Sequence, residues 1–200
     1  MPRIVPLALV ALLALLAACA GPGASAPPPA AERAAAPGLA PRDYFPLAVG
    51  NAWTFLDRSP QQAAPARRTV RIVERDADGY FVDDGGNALR ADADCLHDRA
   101  RRLLCAPARP GQTWSSVVAP TVTERYEVVA AGERVTVPAG AFDGCVRVRS
   151  QVRAGGVEQV AELTYAPGVG PVKLETFAVV DGVSRPQVRG ELESYRLSTR

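Results

Sequence analysis

Hydrophobic and polar residues alternate along most of the chain after Asp43. Val146 and Val148, for example, alternate with Arg147 and Arg149. A period of two residues is typical of antiparallel β-strands with one buried face. Clusters of Gly, Pro and Asp interrupt the pattern at short intervals, as expected of turns. Eleven segments are strand candidates: 52–57, 67–75, 79–84, 87–92, 101–106, 121–129, 133–138, 144–152, 157–165, 171–179 and 187–197.

The turns between these segments indicate an all-β domain, and no segment of the domain predicts a helix. Hairpin turns are predicted at DADG (76–79), AAGE (130–133), RAGG (153–156) and VDGV (180–183). A flat sheet of this size would leave both edges and its apolar face exposed to water, so the sheet must curl or close on itself. We therefore expect a single antiparallel, strongly curved sheet or barrel-like domain. A two-sheet β-sandwich is the alternative.

The chain begins with a segment typical of an export signal. One basic residue, Arg3, precedes the apolar run IVPLALVALLALLAACA, which is shorter than the about 20 apolar residues that a transmembrane helix needs. The run contains LAAC at 16–19, which resembles the lipobox of bacterial lipoproteins. This resemblance implies a signal peptide over 1–18, cleavage before Cys19, and acylation of the Cys19 thiol and of the new amino group. The alternative is an ordinary signal peptide with a chance cysteine.

The mature chain is expected to be a lipid-anchored domain on a tether. Two or three acyl chains hold a protein on a membrane, since each buried methylene contributes about 0.8 kcal/mol. The segment 19–42, which starts with the lipidated Cys19, is rich in Ala, Pro and Gly, and its apolar surface is too small to offset the entropy of ordering it. We expect a disordered tether there, followed by a single β-rich domain over 43–200.

The residue after Cys19 bears on the membrane to which the anchor is sorted. It is Ala20 rather than the aspartate that resembles an inner-membrane retention signal in enteric bacteria. If the host is Gram-negative, the expected location is therefore the cell envelope, with the domain anchored to the outer membrane and facing the periplasm.

Three segments of the domain resemble a known group of proteins. They are DYFPLAVGNAWTF (43–55), VTVPAGAFDGCVRVRS (135–150) and TYAPGVGPVKLE (164–175). In order and spacing they are similar to stretches of the TapB-like and related uncharacterised lipoproteins, which are secreted β-rich proteins of the bacterial envelope. LLCAPARPGQTW (103–114) resembles the middle segment of the same group. The resemblance implies a β-rich fold and an envelope location, and it implies no chemistry.

Charge and composition exclude some partners. The formal net charge is +2, and removal of Arg3 with the signal peptide lowers it by one. Such a small net charge gives no reason to expect a nucleic-acid partner. We predict no cofactor. The expected partners are a membrane, through the lipid on Cys19, and either an envelope protein or an apolar ligand.

The stretch DADCLHDRARRLLC (92–105) allows three interpretations. Cys95, His97 and Cys105 have the donor types of a zinc site, with Asp92, Asp94 or Asp98 as a fourth ligand, but no Cys-x-x-Cys spacing is present. A Cys/His nucleophile pair would need an orienting group and an oxyanion hole that the sequence does not indicate. A disulfide between Cys95 and Cys105 needs only a hairpin centred near Ala100 and an oxidising compartment. We predict this disulfide, and pairing of either cysteine with Cys145 is the alternative.

Cys145 is the remaining cysteine of the domain. Strict alternation would place it on the wet face with Arg147 and Arg149. Gly144 could instead form a bulge that turns the thiol inward. We expect a buried, unreactive thiol.

One acidic segment invites a calcium-site hypothesis. Asp76-x-Asp78-Gly79 resembles the start of an EF-hand loop but lacks the later ligands, since Asn87 stands at position twelve. A hairpin turn explains it better.

The basic residues Arg99, Arg101 and Arg102, with Arg90 and Arg109 nearby, define a candidate surface basic patch. It could contact anionic lipid headgroups or an acidic partner. A solvated loop is the simpler interpretation.

Three functions remain open after these arguments. The first is a noncatalytic envelope lipoprotein that acts as a binding or scaffold module. The second is a carrier of lipid or another apolar ligand, which needs a cavity that Trp53 and Trp114 do not fill. The third is a hydrolytic enzyme, which would have to use carboxylates such as Asp43, Asp83 or Asp84 because the chain has a single histidine. The sequence favours the first and predicts no enzymatic activity.

Overall fold

The computed structural model of the protein describes residues 39–198. The predicted signal peptide, the lipidation site Cys19 and most of the predicted tether lie outside these residues. One short helix, α1 (Pro41–Tyr44), is followed by strands only. The strands are β1 (Ala52–Arg58), β2 (Ala66–Arg75), β3 (Phe81–Asp83), β4 (Ala88–Ala91), β5 (Cys95–His97), β6 (Arg102–Cys105), β7 (Thr113–Ala119), β8 (Val122–Val137), β9 (Gly140–Ala154), β10 (Val157–Ala166), β11 (Gly170–Val180) and β12 (Val183–Arg196).

All strands belong to one twelve-stranded antiparallel sheet that curls into a nearly closed barrel. The order of strands is β6-β5-β4-β3-β2-β1-β12-β11-β10-β9-β8-β7, so the two end strands are β6 and β7. The expected all-β fold with a curved, barrel-like sheet is confirmed. The two-sheet sandwich is wrong, because strand pairing runs without a break from one end strand to the other.

The two end strands meet through side chains. The indole Nε1 of Trp114 donates a hydrogen bond to the carbonyl oxygen of Arg102 at 2.7 Å. The backbone N–H of Arg102 donates to the Ser116 hydroxyl at 3.0 Å, and its guanidinium donates to the carbonyl of Ser115 at 2.8 Å. These contacts satisfy part of the exposed edge of β6, which a sheet would otherwise leave unpaired.

Apolar side chains on the inner face form the core. Trp53 is 1% exposed, packs edge-on against Phe45 with ring centroids 5.0 Å apart, and donates its Nε1–H to the carbonyl of Val169 at 2.7 Å. Gly170 makes this packing possible, because a Cβ there would lie only 3.0 Å from a ring carbon of Phe45. Strand β1 follows the turn at Gly50 and places its aromatic face in the core of the fold.

Alternation located most strands, but one predicted turn is wrong. AAGE (130–133) does not reverse the chain. It lies within β8, where the register against β9 shifts between Val128 and Ala130 and again after Ala131. Gly132 has a φ of +77°, so the chain absorbs extra residues as bulges. Bulges bend a strand, which is what a curved sheet requires of its longest members.

Two strands and the helix escaped prediction for different reasons. In β7 the buried residue is Ser116, while Val117 beside it is 69% exposed, so the hydrophobic pattern is inverted. Strand β5 has three residues, too few for a pattern. Helix α1 is a single turn, begun by a hydrogen bond from the Ala40 N–H to the Asp43 carboxylate, and it buries Pro41. Ordered structure thus includes the last residues of the predicted tether.

Within residues 39–198, no helix has the length and hydrophobicity needed to cross a membrane.

Candidate functional site: an apolar cavity with a charged mouth

The inner face of the sheet encloses a cavity of about 530 Å³ that opens to solvent. Aromatic and aliphatic side chains form most of its wall. The residues that define this wall are Phe45, Trp53, Phe55, Leu163, Tyr165 and Leu174. The core is therefore not solid, although Trp53 lies in it and Trp114 packs against it.

Strand periodicity places these side chains together. Trp53 and Phe55 are two residues apart on β1, and Leu163 and Tyr165 are two residues apart on β10, so each pair faces the inside of the sheet. Phe45 enters from the segment after α1 and bridges the two strands, with its ring centroid 6.4 Å from that of Tyr165. The wall thus combines residues that are more than one hundred positions apart in sequence.

An arginine on β2, Arg68, lines the cavity and is 44% exposed, so we place it at the cavity opening. Arg68 lies opposite Phe55 in the β1–β2 register, and its guanidinium stands 4.9 Å from the centre of the Phe55 ring. Its Nε and Nη2 contact Asp57 at 2.6 and 3.2 Å. Asp57 has room because Gly190 lies beside it, where a Cβ would come within 2.5 Å of the carboxylate.

The tip of the β5–β6 hairpin also lines the cavity with partly exposed charged residues, so we place it at the opening as well. Asp98, Arg99 and Arg101 line the cavity there, and both arginines are about half exposed, at 56% and 47%. We call Arg68 together with these three residues the mouth of the cavity.

The candidate basic patch is therefore only partly assembled at this mouth. Arg99 pairs with Asp76 and stands over the Tyr80 ring at 4.8 Å. Arg101 pairs with Glu124 at 3.0 Å. Arg102 instead hydrogen-bonds to Ser115 and Ser116 of β7, where the two end strands meet. Since each guanidinium already contacts an oxygen acceptor, the patch is not a free basic surface.

The predicted disulfide joins Cys95 and Cys105, and this prediction is confirmed. The two residues are directly opposite in the β5–β6 register, with Cα atoms 4.2 Å apart. The two sulfurs are bonded to each other, so the zinc hypothesis, the Cys/His nucleophile hypothesis and the pairing with Cys145 are wrong.

His97 Nε2 lies 3.0 Å from a carboxylate oxygen of Asp92. The pKa of Asp92 is lowered mainly by the hydrogen bond that it accepts from the Cys95 N–H.

Cys145 is a free, fully buried cysteine, as predicted. Gly144 has a φ of +72°, and the resulting irregularity buries Cys145 and its neighbour Val146 together. The thiol donates to the carbonyl oxygen of Phe142 at 3.4 Å. Burial, with a smaller contribution from the charge of Glu133, raises the pKa of the thiol to about 11.

This environment predicts slow alkylation of Cys145. With a pKa of about 11, about one thiol in a thousand is ionised at pH 8, and only the thiolate reacts. We expect iodoacetamide at pH 8 to label Cys145 about a hundredfold more slowly in the native protein than in urea, as followed by intact mass. Equal rates in the two conditions would show that the thiol is accessible.

The acidic segment before β3 forms the predicted hairpin turn. Asp76 accepts the Tyr80 N–H on one carboxylate oxygen at 2.8 Å and pairs with Arg99 through the other. Its carbonyl accepts the Gly79 N–H at 3.1 Å. Among residues 39–198, no group of three or more His, Cys, Asp or Glu side chains is arranged to hold a metal ion.

The three carboxylates considered for hydrolysis each accept a backbone N–H. Asp43 accepts the Ala40 N–H at 2.8 Å, and Asp84 accepts the Arg71 N–H at 3.0 Å. Asp83 is buried and accepts hydrogen bonds from Gly85 and from Asn87. Their hydrogen-bonding capacity is thus engaged in local structure.

Sequence reasoning missed Arg68 and Asp57, although a signal was present. Arg68 is in phase with Val70 and the buried Ile72 on β2, and Asp57 is in phase with Phe55 on β1. A charged residue at an inward-facing position is costly unless it is paired or lies at an opening. The charged Arg68 at an inward-facing position is such an exception to the alternation, and it lies at the mouth.

Comparisons with known proteins give a likeness in structure only. No protein-family model matches the chain, and no curated protein does. A structure from Parabacteroides distasonis, of a protein predicted to be a lipoprotein, is 14% identical with a TM-score of 0.43, and the match covers 76% of this chain and 98% of that one. A structure from Bacteroides fragilis, of a protein predicted to be exported and to have a YmcC-like fold, is 17% identical with a TM-score of 0.45 and the same coverage, 76% and 98%.

At such identities and TM-scores the likeness adds nothing to the argument for a function. The resemblance to the TapB-like proteins stays a sequence-based prediction.

Proposed function

We propose that the protein is a noncatalytic, lipid-anchored protein of the bacterial cell envelope that binds a small apolar ligand inside its curved sheet. The observation that carries this proposal is the cavity of about 530 Å³ with its wall of aromatic and aliphatic side chains. In this proposal the lipid on Cys19 holds the domain at the outer membrane, facing the periplasm, and the tether lets it move away from the lipid surface.

The size and lining of the cavity support a binding role. Small-molecule sites are concave, mostly apolar and about 300–1,000 Å³ in volume. An apolar ligand that enters this cavity leaves water, and burial of apolar area stabilises the complex by about 25 cal/mol per Å² before the entropic costs of association. The cavity favours the carrier hypothesis over a purely structural scaffold, because a scaffold has no need of a hollow interior.

The proposal of a noncatalytic role rests on how the reactive groups are used. Cys95 and Cys105 form the disulfide, and Cys145 is buried with a raised pKa. The Asp83 carboxylate holds the turn between β3 and β4, and the Asp84 carboxylate accepts the Arg71 N–H of β2.

Filling the cavity is expected to abolish binding of an apolar probe. Leu163 lies in the wall, and Leu163→Trp adds bulk that occupies the space of the ligand. We expect the variant to lose at least tenfold in affinity for N-phenyl-1-naphthylamine, measured by the rise in probe fluorescence. The measurement uses the chain from Ala20 to Arg200, exported with a signal peptide that does not direct lipidation. Without the lipid, the protein needs no detergent that would compete with the probe. This form keeps every residue that the structure describes.

The matched control is Val117→Trp, which adds a similar volume at an outward-facing side chain that is 69% exposed. This variant should bind the probe like the unmodified chain. If both variants bind equally well, or if the unmodified chain does not bind, the cavity is not a ligand site.

A further inference from the structure

The mouth of the cavity has more spare hydrogen-bond donors than acceptors. Asp83, which lines the cavity beside the mouth, accepts three hydrogen bonds, from the N–H of Gly85 and from the N–H and side-chain amide of Asn87. Asp98 accepts the N–H groups of Ala100 and Arg101 on one oxygen at 2.7 and 2.6 Å. Hairpin structure therefore already engages these two acidic groups.

The arginines at the same opening keep donors free. A guanidinium has five N–H donors and no acceptor. Arg68 directs one Nε and one Nη2 donor to Asp57, and Nη1 has no protein partner among the described residues. Arg101 contacts Glu124 through Nε and Asp98 through Nη1, and its Nη2 is likewise without one. A ligand group placed at this mouth thus meets unused cationic donors.

The apolar wall and these donors adjoin each other. The guanidinium of Arg68 stands over Phe55, which is part of the wall, while 44% of the Arg68 side chain is exposed to solvent. A ligand that fills the wall with an apolar chain would bring a polar end to the level of Arg68. Charged, partly desolvated donors bind anionic oxygens more strongly than they bind neutral acceptors.

We propose that the ligand is a single-chain amphiphile with an anionic oxygen head group, a carboxylate or a phosphate, whose chain lies in the cavity and whose head contacts Arg68 and Arg101. This inference rests on the proposed function and names the class of ligand for the same site. A neutral oxygen head could accept hydrogen bonds from the same donors, but without a negative charge these bonds are weaker.

The test compares ligands that differ only in the head group. Dodecanoate, dodecyl phosphate and dodecanol are titrated against the chain from Ala20 to Arg200 preloaded with N-phenyl-1-naphthylamine, and displacement gives each affinity. We expect at least one of the two anions to bind about tenfold more tightly than dodecanol, and the better anion identifies the head group. Arg68→Gln and Arg101→Gln should each bring the ratio of the two affinities, better anion to dodecanol, close to one, whatever the affinity for dodecanol itself becomes.

The control variant is Arg134→Gln, which removes an exposed arginine that pairs with Asp143 at 2.9 Å and does not line the cavity. It should keep the full preference for the anion. Equal affinity for all three ligands, or a preference that survives both mouth variants, overturns the inference and leaves the proposed function standing. Failure of all ligands and of the probe to bind overturns the proposed function itself.

Discussion

Replacement of Trp53 by alanine is expected to lower the free energy of unfolding by about 3–5 kcal/mol. Trp53 is 1% exposed, packs edge-on against Phe45 and donates its indole N–H to the carbonyl of Val169. The substitution removes a large apolar side chain and leaves that carbonyl without its donor, so two penalties combine. Urea denaturation followed by circular dichroism in the far ultraviolet measures the change.

A matched variant separates the two penalties. Trp53→Phe keeps most of the aromatic volume and loses only the hydrogen bond to Val169, so we expect a loss of about 1–3 kcal/mol. If Trp53→Ala costs less than 1 kcal/mol, Trp53 does not hold β1 against the turn at Val169. Because Trp53 also forms part of the cavity wall, the alanine variant should bind an apolar probe with altered affinity even where it remains folded.

Removal of the Cys95–Cys105 bond is expected to destabilise the domain by about 2–3 kcal/mol. The bond closes a loop of ten residues and so restricts the unfolded chain. The double substitution Cys95→Ser and Cys105→Ser should show this loss in urea denaturation. Cys145→Ala is the control for loss of a cysteine, because it leaves the bond intact.

The bond itself is checked by intact mass before and after reduction, with thiol labelling in urea. The oxidised protein should show one reactive thiol among residues 39–198, that of Cys145, and the reduced protein should show three. Free thiols at Cys95 and Cys105 in protein purified from the envelope would contradict the assignment.

The disulfide has a consequence for the cavity. It ties β5 to β6 at the base of the hairpin whose tip carries Asp98, Arg99 and Arg101. These strands end the sheet, and pairing of β4 with β5 extends over only two residue pairs. The covalent bond therefore stabilises the element that places two arginines at the opening.

Strand content could be predicted because its cause is local. Over parts of β9 to β12 apolar residues alternate with polar ones, as from Val146 to Arg149, and Gly-containing turns separate the strands. The turn at Asp181 and Gly182, both with positive φ, lies where VDGV predicted it. The pattern failed in β7, since the seam with β6 buries Ser116 to receive the Arg102 N–H while Val117 faces solvent. A contact with a distant strand overrode the local pattern there.

The sequence by itself determined the all-β class, the need for the sheet to curve, the hairpin that joins Cys95 to Cys105 and the inward bulge at Gly144. Each depends on residues close together in the chain, or on a periodicity that the pleated backbone imposes. Only the tertiary structure decided that the interior is hollow and that Arg68 and Arg101 share its opening. Whether a curved sheet is filled depends on how far apart its opposite walls lie and on the summed volume of side chains from many strands, and no local segment contains that information.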